Sequence, residues 1–148
     1  MIEFAATIVI TVSSVLLFGY WFRYTCLLIL SARTTRDYAA DVVMANQLAF
    51  PGVQAQLANA AMSDLDGLRA SLDRDYAVLT YLLKHTSTEE SALEKRMLEI
   101  NYRLMGAWYS MSAKFSPTAA RRALDEMTMV VAHFANSMGE RAAAGAAA

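Results

Sequence analysis

Between Phe4 and Phe22 the chain carries no Asp, Glu, Lys, Arg or His, and a helix of about 20 such residues crosses a bilayer core. This predicts one transmembrane helix within an anchor and juxtamembrane segment, residues 1–32. Arg23 interrupts the apolar run, which resumes at Cys26-Leu27-Leu28-Ile29-Leu30. A bilayer reaching Arg33 would place Arg23 about 10 residues, or 15 Å, inside it, where a charge is expensive. The cheaper boundary is the belt of Tyr20, Trp21, Arg23 and Tyr24, with the rings at headgroup level and the arginine snorkelling. A deep Arg23 paired with an acidic group or a lipid headgroup is the alternative. With the boundary at the belt, Leu27 to Leu30 need cover, which makes Leu27 and Leu30 candidate docking residues. Within the span, Thr7, Thr11 and Ser14 recur at helical spacing as a stripe suited to close packing in the membrane, unless their hydroxyls bond back to their own helix.

After Arg33 no Pro or Gly occurs before Pro51-Gly52, and Tyr38, Val42, Ala45 and Ala49 continue an apolar side. The pattern predicts that the transmembrane helix runs on as an extension, residues 33–50, until Pro51-Gly52 ends it. From Val53 a second stripe steps by three or four through Leu57, Ala61, Leu65, Leu68, Leu72, Tyr76, Leu79 and Leu83, predicting one long helix to His85-Thr86 with Gly67 as a weak point. Ser87-Thr88-Glu89-Glu90 has the form of a capping box opening the next helix. That helix carries two stripes. Leu93, Met97, Ile100, Leu104, Ala107, Met111 and Phe115 step by four and three. Leu98, Tyr102, Met105 and Tyr109 run beside them, with Trp108 in between. A helix apolar over so much of its circumference is a central helix or a contact surface, and Leu98, Tyr102, Met105, Trp108 and Tyr109 are the residues expected to dock a partner. Ser116-Pro117 starts the last helix, with Ala120, Leu124, Met127, Val131, Phe134 and Met138 as its stripe. The Ala-rich residues 142–148 read as a fraying tail.

The predicted fold is therefore all-α: a single N-terminal transmembrane helix continuing into a cytoplasmic antiparallel helical bundle, the bundle proper being residues 51–141. No period-two pattern calls for a strand.

Composition narrows this further. The 148 residues suffice for one membrane element and one small domain. The 56% hydrophobic content is high for a soluble chain. A net charge of −1 offers no basic footprint for nucleic acid. The flanking arginines Arg23, Arg33 and Arg36 all follow the span, which puts the N-terminus outside the inner membrane and the bundle in the cytoplasm, as a single pass. Glu3 and the lack of an early Lys or Arg argue against a cleaved signal peptide, and the lone Cys26 suits a reducing compartment.

Candidate chemistry adds little. Two histidines could ligate a haem between helices, but antiparallel packing leaves the turn near His85 about 11 residues, or 16 Å, from the level of His133. Glu126, His133 and Glu140 share a face at steps of about 10 Å, too long for one ion. The methionines fall on or near the apolar stripes, where thioethers fill gaps. No nucleophile elbow or phosphate loop is present. The expectation is no enzyme and no cofactor, but a non-catalytic accessory or scaffold subunit of an inner-membrane assembly, whose partners are the lipid bilayer and other membrane subunits or a second copy. A signalling protein that relays membrane state along the continuous helix is the alternative, and a haem- or metal-binding bundle is a third.

Overall fold

The computed structural model describes residues 1–32, 36–59, 64–86 and 92–148. Among them the chain is all-helical, with α1 Ile2–Ser31, α2 Ala39–Asn46, α3 Phe50–Ala58, α4 Leu65–Thr86, α5 Ala92–Ser112 and α6 Pro117–Ala147. It divides into two compact units, Met1–Ala32 and Arg33–Ala148. The first unit is α1 alone, 30 residues or about 45 Å of helix, long and apolar enough to cross a membrane.

The expected continuous helix from the span to Phe50 is not formed. α1 stops at Ser31, and Ala32 is extended, with ψ 115°. Of the residues that follow, Arg36, Asp37 and Tyr38 stand outside any helix, and an aspartate there favours a cap or turn over a helix interior. A new start is built instead. Asp37 Oδ1 accepts the Ala39 N–H at 3.0 Å, and Asn136 Oδ1 of α6 accepts the Tyr38 N–H at 2.8 Å.

Pro51-Gly52 also acts differently from expectation. α2 ends earlier, at Gln47, which adopts the left-handed conformation (φ 52°) while Leu48 N–H reaches back to the Val43 carbonyl. This is a Schellman-like stop made without glycine. Pro51 then lies in the first turn of α3, where its missing N–H is harmless. The amides just before it are held by a side chain 25 residues away: buried Asp75 Oδ2 accepts from Ala49 N–H at 2.6 Å and Phe50 N–H at 2.7 Å. A carboxylate at a helix N-terminus also meets the positive end of the helix dipole.

The single helix expected from Val53 to His85 is two helices, α3 and α4. Asp64 Oδ1 accepts the Gly67 N–H at 2.9 Å, starting α4 afresh. A Cβ on Gly67 would run into the Asp64 carboxylate, whose Cγ would lie at 2.8 Å. Gly67 is thus a first-turn residue that makes room for a cap. Ala61 and the Ser87–Glu90 capping box lie outside the described residues. At α6 the expected start holds: Ser116 Oγ accepts the Ala119 N–H and Pro117 follows at the first helical position.

α6 is the helix that α2, α3, α4 and α5 all pack against. Its core residues Ala120, Leu124, Met127, Val130, Val131 and Ala135 are solvent-excluded, together with Leu72, Leu79, Leu83 and Leu98 of α4 and α5. The central role that α5's two stripes suggested belongs to α6. Helix continues through the Ala-rich residues to Ala147, so the fraying tail expected over 142–148 is helical up to that point, as a run of the best helix former permits. Gly139 is buried where α2 crosses, and a Cβ there would strike Tyr38 Cβ, with the Tyr38 carbonyl oxygen at 2.8 Å and Val42 Cγ2 at 3.1 Å.

Three substitutions test these contacts. Gly139→Ala should cost about 1–3 kcal/mol, because the added methyl pushes α2 off α6. Gly145→Ala, with nothing within 4 Å, should be neutral or stabilise by up to about 1 kcal/mol; equilibrium urea unfolding of the two variants distinguishes them. Asp75→Ala should cost about 2–4 kcal/mol by stranding the buried Phe50 amide and the half-buried Ala49 amide and leaving a cavity, read by the same unfolding curves.

Candidate functional site

The expected site residues fall on two surfaces, α1 and α5. On α1 the two threonine hydroxyls of the small-residue stripe are satisfied locally: Thr7 Oγ1 donates to the Glu3 carbonyl and Thr11 Oγ1 to the Thr7 carbonyl, both at 2.8 Å. The stripe therefore offers smallness to a neighbouring helix rather than an unmet hydrogen bond. Ser14 is exposed beside it. Tyr20, Trp21 and Tyr24 are exposed, and the rings of Tyr20 and Tyr24, one turn apart, stack with centroids 6.4 Å apart. Arg23 is half-buried, Leu27 is exposed, Leu30 is half-buried and Cys26 is buried.

On α5 the two stripes exchange the roles expected of them. Leu98, Tyr102, Met105 and Tyr109, expected to dock a partner, are buried core residues. Trp108, grouped with them, is 46% exposed. Leu93, Ile100, Leu104, Met111 and Phe115, of the other stripe, lie open on the surface. The reason is polar as well as apolar. Asn101 and Tyr102 sit on the arc that meets the neighbouring helices, and both have partners there. Asn101 Nδ2 donates to Glu126 Oε1 of α6 at 2.8 Å, and the Tyr102 hydroxyl donates to Asp73 Oδ1 of α4 at 2.8 Å.

These pairs belong to a lattice with a regular register. Toward α4, the Tyr109 hydroxyl donates to Asp66 Oδ1 at 2.6 Å, seven residues along α5 and seven back along α4 from the Tyr102–Asp73 pair. Toward α6, Glu94 Oε1 meets His133 Nε2 at 2.8 Å, seven back along α5 and seven on from Glu126. Arg69 fills the space between, its Nη1 donating to Ser110 Oγ at 2.6 Å and its guanidinium lying 5.1 Å from the Tyr109 ring centroid. Gly106 leaves that room, since a Cβ there would sit 3.3 Å from Arg69 Nη2. Tyr76 stacks on Tyr102, with centroids 3.9 Å apart and rings 2° from parallel. Long side chains thus join α4 to α5.

The lattice raises the tyrosine pKa values. Burial pushes the Tyr109 phenol up to about 12, helped by its hydrogen bond to Asp66 and by that carboxylate's charge. Tyr102 is raised well above the ordinary phenol value, first by burial and then by its hydrogen bond to Asp73. Tyr76 is raised by burial and by Glu99, with Arg103 opposing.

The residues weighed as metal or haem ligands are engaged separately. His85 Nδ1 lies 2.8 Å from the Tyr81 carbonyl one turn back, while His133 pairs with Glu94 and Glu126 with Asn101. Among the described residues no group of three or more His, Cys, Asp or Glu is placed to hold a metal. The cavity beside His133, lined by Glu94, Lys95 and Ser137 among others, has about 20 Å³, room for about one water. Sequence reasoning missed Asp75 and Asn101. Each occupies a core step of its helix, Leu72-Asp75-Leu79 and Leu98-Asn101-Met105, and a polar residue at such a step is the signal that could have found it. No protein-family model, curated protein or solved structure matches the chain.

A folded pKa near 12 against an ordinary value near 10 means that Tyr109 keeps its proton in the folded state after the unfolded chain has lost it. Its contribution is complete below pH about 10 and disappears as pH rises through about 12. Tyr109→Phe should lower stability at neutral pH by about 1–2 kcal/mol through the lost hydrogen bond. It should also make the fall in stability above pH about 10 shallower; urea midpoints measured across that range decide it.

Proposed function

We propose that the protein is a non-catalytic accessory or scaffold subunit of an inner-membrane assembly. In this reading α1 crosses the bilayer once, with its N-terminus outside. The second unit is an antiparallel helical bundle on the cytoplasmic side, the side favoured by the arginines that follow the span. The observation that carries the proposal is α1 itself: its apolar side chains are exposed around the helix from Ile2 to Trp21, about the length the bilayer core requires. Lipid can cover the part up to the aromatic belt. Leu27 and Leu30 beyond it are best covered by protein, and the small residues Thr7, Thr11 and Ser14 let a neighbouring helix approach. Partners are then other membrane subunits or a second copy, met first within and just below the membrane. The antiparallel arrangement is supported by the opposite running of the paired residues along α5 and each of its neighbours. A relay along one rigid helix loses its support, because α1 ends at Ser31.

Purification from native membranes in a mild detergent, with the particle mass measured, tests the reading. A complex larger than the 16.3 kDa chain is expected, and a stable monomer that brings nothing with it would sink the proposal. Replacing Thr7, Thr11 and Ser14 together with Leu should leave insertion intact yet weaken the association roughly 5- to 30-fold, the equivalent of about 1–2 kcal/mol of helix packing.

A further inference from the structure

The outer face of α5 is the largest unexplained feature of the second unit. By the 100° step of a helix, Ala107, Ile100, Leu93, Met111, Leu104 and Trp108 fall within an arc about 100° wide, and each of them is exposed. The arc adjoins a polar strip on the side away from α6. That strip carries the exposed cations Arg96 and Arg103, and exposed Lys114 follows in the turn after α5. The acids nearby are already engaged: Glu94 with His133 at 2.8 Å, and Glu99 with Lys95 at 3.8 Å. An apolar arc containing Trp, Leu and Ile, edged by Lys and Arg, is the composition of a helix that lies in a membrane interface, the rings and aliphatic chains entering the acyl boundary and the cations meeting anionic headgroups.

A second copy is a poorer occupant. Pairing two such faces antiparallel would bring the cation-bearing strips of the two copies together, with no free acid among these residues to meet them. An anionic lipid surface supplies the missing charge. It is also close at hand: seven residues separate Ser31 from Ala39, a reach of at most about 29 Å, so an inserted α1 keeps the helical unit beside the bilayer.

We infer that the outer face of α5 is a lipid-binding surface that seats the helical unit on an anionic membrane. The inference rests on the proposed insertion of α1 only for proximity, and the experiment separates the two. The two tryptophans are Trp21 and Trp108, so the full-length chain carrying Trp21→Phe reports on α5 through Trp108 alone. It is reconstituted in phosphatidylcholine vesicles with and without phosphatidylglycerol. Flotation reads insertion of α1, quenching of Trp108 by acyl-brominated lipid reads contact of the face with the bilayer, and crosslinking reads self-association.

Quenching should be strong with phosphatidylglycerol, weak without it, and reduced by raised salt. It should fall about tenfold or more in a variant carrying Arg96→Glu and Lys114→Glu, since each cation near an anionic surface contributes roughly fivefold to binding and reversal adds repulsion. Arg103 is left in place because it hydrogen-bonds Tyr76, and an unchanged circular dichroism melt confirms that the double variant folds. Trp108 that stays unquenched in floated, phosphatidylglycerol-containing vesicles overturns the inference and leaves the anchor standing. Trp108 shielded equally in neutral vesicles, with α5–α5 crosslinks, overturns it in favour of a second copy. A chain that does not float refutes the anchor, and quenching of Trp108 by vesicles added to it then decides the lipid-binding face separately.

Discussion

Helix α6 must be covered around more than half of its circumference. Its buried residues, from Glu126 through Ala123, Leu124 and Val131 to Gly139, span about 220° by the helical step. One neighbour cannot cover such an arc, because two packed helices share only a stripe of each. Four helices do so here. α4 and α5 are long enough to follow it, while α2 and α3 are short pieces on the remaining face. The breaks between α1, α2, α3 and α4 let short lengths of chain lie against one long helix. Gly139 permits the closest approach, with the backbone of Tyr38 resting where a side chain would otherwise stand.

Buried polar groups then fix which arrangement is adopted. Apolar packing alone leaves register loose, whereas an unpaired buried donor or acceptor is costly. Asp75 can meet the amides of Ala49 and Phe50 only if α3 begins over that turn of α4. Asn101 meets Glu126 only in one register of α5 on α6, and the Glu94–His133 pair repeats that register two turns away. The Tyr102–Asp73 and Tyr109–Asp66 bonds do the same between α5 and α4. The raised phenol pKa values are a by-product of this construction: hydroxyls that donate to carboxylates in a water-poor seam resist ionisation.

The same construction decides which residues remain available to partners. Once Leu98, Tyr102, Met105 and Tyr109 are committed to the core, the exposed apolar material of the helical unit is concentrated on the opposite arc of α5, beside exposed Arg and Lys. In the first unit, α1 has apolar side chains exposed around it. Both surfaces are suited to a bilayer and to what lies in or against it, and so the proposed scaffold role and the proposed lipid contact come from the parts of the chain that its own core leaves uncovered.

The sequence alone determined the helical class, the long apolar N-terminal helix, the start of α6 at Ser116-Pro117 and the helical period of α4 to α6. These follow from local periodicity, capping chemistry and the length of an uncharged run, all of which act over a few residues. Tertiary structure decided the rest. A stop at Gln47 without glycine, a helix opening at Pro51 because a distant Asp75 caps it, and a tight crossing at Gly139 all depend on residues 25 or more positions apart or on a strained backbone held by its surroundings. The two stripes of α5 are the clearest case. Each has the spacing of a core face, and nothing within α5 chooses between them; Glu126, Asp73 and Asp66 on the neighbouring helices do, because burying Asn101, Tyr102 and Tyr109 is tolerable only where those partners wait.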